Sequence, residues 1–325
     1  MNKVQEHIQP AWEAFVNRFT HFDSRLNWLY LISSIALAFF FLAVVSYRKH
    51  GSLKPFLILQ EIFDRKVWFH KSALVDYQIF FFNTVILGLL IIPFFVSAMM
   101  ILDGTKNQMI IWFGEPEVKE VNAFWIVVFY TVIIWLISDF SRFLLHFLLH
   151  KIPFLWRIHE VHHSAEVLTP VTQYRMHPIE MILFYFRGIF VLGIVSGVYL
   201  YYYPFVMKEE GYLMVFGVNI FRFAFLFIGS NLRHSQIPVK FPPVVEYIFI
   251  SPYQHQVHHS KDQKHFDKNF GSHLAIWDWM FRSLVRSKEV EKVEYGIPDG
   301  NPHKSVLKAY FQPFRRMLKK MKNEK

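Results

Sequence analysis

Two stretches of this chain carry no charge over the length of a membrane span. Trp28–Tyr47 runs for 20 residues and Ile79–Leu102 for 24 without an Asp, Glu, Lys or Arg. A helix crosses the hydrocarbon core with about 20 apolar residues. Backbone groups there have no water to bond, so such runs are confined to helices, and a proline such as Pro93 is tolerable inside one. Ala123–Ile137 is apolar again and continues helically through Asp139 and Arg142 to His150. Met181–Phe205 and Tyr212–Ser230 follow. The expected fold is all-α. It is a multi-pass membrane bundle with five segments, at about 28–47, 79–102, 123–150, 181–205 and 212–230, the last two forming a hairpin. A helical cap is expected on the cytoplasmic side.

Composition supports this class. Only 18% of residues are charged, against about 25% in soluble domains. Cysteine is absent, which removes disulfides, thiolate nucleophiles and Cys-ligated zinc or iron–sulfur centres. The net charge of +10 does not call for nucleic acid, because 17 of the 35 Lys+Arg lie at or after Arg233, where they can face anionic lipid. Residues 1–27 lack the apolar core of a cleavable signal peptide. Six Lys/Arg in 48–78 and the basic stretch after Arg233 place both on the cytoplasmic side, with the N-terminus outside. Three regions result: 1–120 with two spans, a central 121–290, and a basic amphipathic tail, 291–325.

Twelve of the 17 histidines fall between His146 and His273. His146 and His150 are four apart. His159, His162 and His163 follow at i, i+3, i+4, and His255, His258 and His259 repeat that spacing. On a helix these spacings share a face, with neighbours about 5–6 Å apart, so two imidazoles can hold one metal. His234, after the fifth segment, is a ninth candidate. Two crossings between His163 and His255 would return the last group to the side of the first. A structural zinc takes four ligands and a catalytic zinc three plus water, so eight or nine imidazoles suit two metals. Imidazole alone does not select among zinc, copper, iron and nickel. Asp139, seven residues before His146, is a candidate acceptor for a ligating imidazole, or a partner of Arg142.

Two other readings compete. His159-Glu160-Val161-His162-His163 matches the H-E-x-x-H pattern of zinc metalloproteases, but leaves the other groups unexplained. A non-enzymatic metal transporter would set its ligands along a path within the spans. The soluble di-iron bundle, with its paired Glu-x-x-His motifs, is excluded because Glu160 to His163 is the chain's one such pair. Arg187 and Arg222 lie within apolar segments, where ionisable groups are costly. Arg187, seven residues after Glu180, reads as its structural partner, and either arginine can hold an anionic headgroup. Phe184, Phe221 and Phe225 are among the candidate pocket walls.

Taken together, His146-x3-His150, His159-x2-His162-His163 and His255-x2-His258-His259 resemble the three histidine boxes of the fatty acid hydroxylase / sterol desaturase superfamily. Arg175-Met-His177-Pro178-Ile-Glu180, Arg233-His234-Ser235, Asn269-Phe270-Gly271 and Trp277-Asp278-Trp279-Met280-Phe281 resemble its secondary signatures, over about 120–285. The resemblance implies two irons, O2 as co-substrate, and hydroxylation or desaturation of a sterol-like, fatty-acyl or ether lipid in the bilayer. It implies as ligands His146, His150, His159, His162, His163, His234, His255, His258 and His259. His177, His273, Asp139, Glu180 and Asn231 would be further ligands or supports. Some relatives carry a fused cytochrome b5 domain, and no haem-binding sequence is seen here. Electrons are therefore expected from a separate cytochrome b5-, ferredoxin- or reductase-like donor.

Overall fold

The computed structural model describes residues 3–86, 97–117, 121–209 and 211–323. Among them are eleven helices of seven or more residues: α1 (Lys3–Thr20), α2 (Trp28–His50), α3 (Pro55–Ile62), α4 (Lys71–Ile86), α5 (Ala98–Phe113), α6 (Ala123–Lys151), α7 (Pro153–His163), α8 (Pro178–Tyr202), α9 (Ile220–Phe227), α10 (Pro252–His258) and α11 (Val306–Asn323). By length and composition, α2, α6 and α8 are able to cross a membrane.

Helices α6 and α8 form the frame and run antiparallel. Tyr130 Oη and Ser196 Oγ share a hydrogen bond of 2.7 Å at one end, and Arg187 donates to Ser138 O and Ser141 Oγ nearer the other. Helix α5 lies against α8 at very close range. A Cβ on Gly193 would stand 2.5 Å from Ile101 Cβ, and one on Gly197 2.6 Å from Thr105 Cβ. Glycines four apart let two helix backbones approach in this way.

The structure departs from one expected span, and another lies partly outside the described residues. The stretch 79–102 is shared between the end of α4 and the start of α5, and residues 87–96 lie outside the described residues. The expected fifth span, 212–230, is not one helix. Met214–Val215 pairs antiparallel with Val218–Asn219 (β1 and β2), turning through Phe216 at φ 50° and Gly217 at φ 76°, the conformation a two-residue hairpin turn demands. Asn219 then caps α9, accepting from Phe221 N and Arg222 N, and Gly229 follows its end at φ 89°. Eight helical residues reach about 12 Å, too short to cross. The hairpin is instead anchored partway along α6, where Leu213 N donates to Thr131 Oγ1 and Asn219 Nδ2 to Thr131 O.

The segments flanking α2 are tied to one stretch of chain. Arg25, just before it, reaches Gln173 Oε1, while Asp76, beyond it in α4, accepts from Thr172 Oγ1 and Arg175. The segments before and after α2 therefore meet the same stretch, 172–175. Arg25 also lines the cavity beside the histidines. The tail helix α11 packs on α7 and α4, with Ala309 fully buried and Tyr310 Oη donating to Asn83 Oδ1 at 2.7 Å.

Candidate metal centre

Helix α6 ends at Lys151, and Pro153 opens α7 at its first turn, where a proline's missing N–H costs nothing. The bend brings the two helices' histidines together. His146 Nε2 lies 3.1 Å from His159 Nε2, His150 Nε2 lies 3.1 Å from His163 Nε2, and His163 Nε2 lies 3.2 Å from His159 Nε2. His258, from α10, joins these four. A second group holds His162, His234, His255 and His259, with His255 Nε2 at 3.2 Å from His234 Nε2 and 3.3 Å from His259 Nε2. The groups adjoin, since the His163 and His259 rings stack with centroids 4.7 Å apart. Within each group the candidate ligand atoms lie within 4.8 Å of one another.

The donor set fits metal cations. His146 donates its Nδ1–H to Phe270 O at 2.8 Å, and His159 donates its own to Glu180 Oε1 at 2.8 Å. With those protons committed, both Nε2 atoms of the neutral rings present lone pairs to each other at 3.1 Å, and no proton is available to join them. Imidazole nitrogens bound to one metal at about 2.0–2.1 Å stand about 3 Å from each other, the spacing seen. His162 Nδ1, His258 Nε2 and His259 Nδ1 are buried without a hydrogen-bond partner among the described residues, a costly state for a polar atom that nothing fills. Burial pulls His159, His162 and His258 down to about 3 and holds His163, His234, His255 and His259 well below the usual histidine value. The rings are neutral at pH 7, the form that ligates.

The surrounding shell orients these rings. His258 donates Nδ1–H to Lys268 O at 2.7 Å. His255 differs, because its Nδ1 accepts from Arg233 Nη2 at 2.7 Å. The carbonyl of Phe270 is fixed in turn by Asp278, which accepts from Phe270 N, Gly271 N and Ser283 Oγ. Burial pushes the Asp278 carboxyl up to about 6 against those bonds. Gly271 is required here, since a Cβ would lie 2.5 Å from Leu274 O and 2.8 Å from Asp278 Oδ2.

The nine histidines of the two groups are those with box spacing plus His234. The other candidates have different places. Glu180 holds His159. Asp139 does not touch a ligating imidazole but accepts from His273 N, Leu274 N and Trp277 Nε1, so it pins the loop that covers α6. His273 lies outside both groups and accepts at Nδ1 from Trp135 Nε1. His177 caps α8 by accepting from Ile179 N and donates from Nε2 to Tyr310 O on the tail helix. Asn231 donates to Arg25 O and accepts from Gln173. Arg187 is not paired with Glu180, and its donors go to Ser138 and Ser141. Glu160 is turned away from the histidines and is held by Arg157 and Arg316. It cannot be the base of an H-E-x-x-H protease.

Sequence reasoning missed several supports. The buried pair Arg175–Asp76, at 2.7 Å, joins α4 to α7 and the tail, because Arg175 also donates to Val161 O, Ser164 Oγ and His303 O. Arg25 and Arg142 line a cavity of about 70 Å³ that opens on His146, His159, His162 and His234. Charge at the edges of apolar runs was the available signal for both.

Residues 131–283 match the fatty acid hydroxylase family. An ornithine lipid hydroxylase of Rhizobium tropici is 28% identical over 60% of this chain and 54% of its own length. The alkylglycerol monooxygenase of Xenopus tropicalis is 30% identical over 49% of this chain and 31% of its own length, and the human one 26% identical over 49% and 31%. The chain thus spans about half of the first relative and under a third of the other two. No solved structure matches significantly. The matched stretch, a little under half of the chain, contains every one of the nine converging histidines, and by motif, geometry and match it is this stretch that places the chain with the fatty acid hydroxylase superfamily.

Proposed function

We propose that this chain is a membrane-bound, O2-dependent di-iron oxidoreductase that hydroxylates a lipid. The observation that carries the reading is the facing of the Nε2 lone pairs of His146 and His159 at 3.1 Å, inside one of two adjoining groups of buried imidazoles. Hydroxylation is preferred to desaturation because the similar curated proteins are a hydroxylase and monooxygenases. Bound iron would supply the oxidising power that an unactivated C–H bond requires. His146, His150, His159, His163 and His258 would hold one ion, and His162, His234, His255 and His259 the other. The protein's part is orientation: Glu180 and the carbonyls of Phe270 and Lys268 lock the tautomers of three ligands. The small cavity that opens on His146 and His159 is lined by Arg142 and Phe184 from the long helices. Electrons would come from a separate donor protein, and the centre would face the cytoplasm, in keeping with the basic character of 48–78 and the C-terminal region.

The test is metal analysis of the detergent-purified chain together with lipid profiling of cells that express it. Two irons per chain, lost in His162→Ala and His258→Ala, and a lipid heavier by one oxygen that vanishes with the same substitutions are expected. One zinc per chain, or metal-dependent flux without oxygen uptake, would overturn the reading.

A further inference from the structure

Beside the histidine centre lies a second cavity, of about 520 Å³, walled by α6, α8, the β1–β2 hairpin and residues 21–23. Three arginines line it: Arg142 from α6, Arg187 from α8 and Arg222 from α9. Two carboxylates share the walls, Asp23 and Asp139. Neither touches Arg142 or Arg187, although Asp139 acts on Arg187, and Glu180 on Arg142, through space. Asp23 takes Arg222 Nε at 2.7 Å, and Asp139 is saturated by two backbone amides and the Trp277 indole. Arg187 donates to two neutral oxygens, and its Nε is buried without a hydrogen-bond partner among the described residues. The guanidinium carbon of Arg142 lies 4.9 Å from the ring centre of Phe184. Among the described residues no carboxylate lies within ion-pair distance of either. Guanidinium groups kept among apolar helices with no carboxylate in contact are costly, and their forked donors match phosphate and carboxylate oxygens.

We propose that this cavity seats the anionic headgroup of a membrane lipid, a phosphate or carboxylate held by Arg142 and Arg187 with Arg222 at the rim. Three features favour a lipid over a free anion. The walls include Ile134 and Leu192 from helices long enough to span. Behind Trp135 and His273, which both cavities share, lies a chamber of about 510 Å³ with Phe221, Phe225 and Ile228 on its walls, room for an alkyl chain. Arg142 also lines the opening onto His146, His159 and His162, so a bound headgroup sits next to the metal ligands. The proposal rests on the lipid-oxidising reading for its purpose, but binding is measured without turnover.

The full chain, purified in detergent, is offered equal phosphatidylglycerol and phosphatidylcholine of matched acyl chains, and the retained lipid is counted by native mass spectrometry. A preference for the anionic lipid of about tenfold is expected, the size of one charge-assisted hydrogen bond. Arg142→Gln and Arg187→Gln should each remove most of it, Arg187→Lys should keep part of it, and iron content should be unchanged. Excess inorganic phosphate should leave the lipid bound. Equal retention of the two lipids by the unsubstituted chain, an unchanged preference in both Gln variants, or displacement by phosphate alone would each overturn the assignment. The first arm needs no variant, so misfolding of a substituted chain does not blunt the test. Lipid preference in a chain that binds no iron would sink the oxidoreductase reading and leave the headgroup site standing.

Discussion

Asp278 touches no histidine, yet it sets one in place. Its carboxylate receives the amides of Phe270 and Gly271, and the Phe270 carbonyl then receives the Nδ1–H of His146. Asp278→Ala should cost about 3 kcal/mol, because it strands two buried amides, and should lower iron content, both readable from thermal melts and metal analysis. The ligands also predict a pH response. Burial depresses His159, His162 and His258 to about 3, so the folded chain refuses protons that the unfolded chain accepts below the ordinary value of about 6.5. Stability of the metal-stripped protein is full above that pH. It should fall by about 1.4 kcal/mol per pH unit for each such ring as pH drops toward 3. A melting temperature flat from pH 7 to 4 would refute this. The boxes were legible because ligands on a helix must recur at three and four. Their supports were not, since Phe270 and Lys268 act through backbone carbonyls, which leave no mark on residue type. Asp139 misled for a related reason: spacing gives its face of the helix, but not the 273–277 loop that covers that face.

Helix-scale features divide in the same way. The long runs of α2, α6 and α8 were read from hydropathy alone. The stretch 212–230 was misread, because an apolar run has no period that separates strand from helix. The signals that break it, Phe216-Gly217 as a turn and Asn219 as a cap, are local and outweigh composition. Another local signal went unread, the Gly193-x3-Gly197 pair that brings α5 against α8. Gly193→Val should force these helices apart at a cost of about 1–3 kcal/mol, whereas Gly188→Ala, with open space at its Cβ, should be neutral in the same melts.

At the scale of the molecule, the histidine centre is closed from several directions by parts distant in sequence. The Arg175–Asp76 pair ties α4, α7 and the tail into one unit. Asp76→Ala leaves that guanidinium buried and uncompensated, and should cost about 3–5 kcal/mol. Orientation is open to direct test because the chain has no cysteine. A single K288C substitution at this exposed position should react with an impermeant maleimide only after cells are broken, if the centre faces the cytoplasm. Labelling of intact cells would reverse the topology.

The brace on α7 has a further consequence, for the order in which the centre is made. The outer side of α7 is held by Glu160 to Arg316 and by Arg175 to His303 O, and residues 303–316 leave the ribosome after all nine histidines. During synthesis the ligands are present before the wall behind them is closed. Helix α7 therefore carries its ligands before its outer side is braced, and that brace is the last part of the framework to be added.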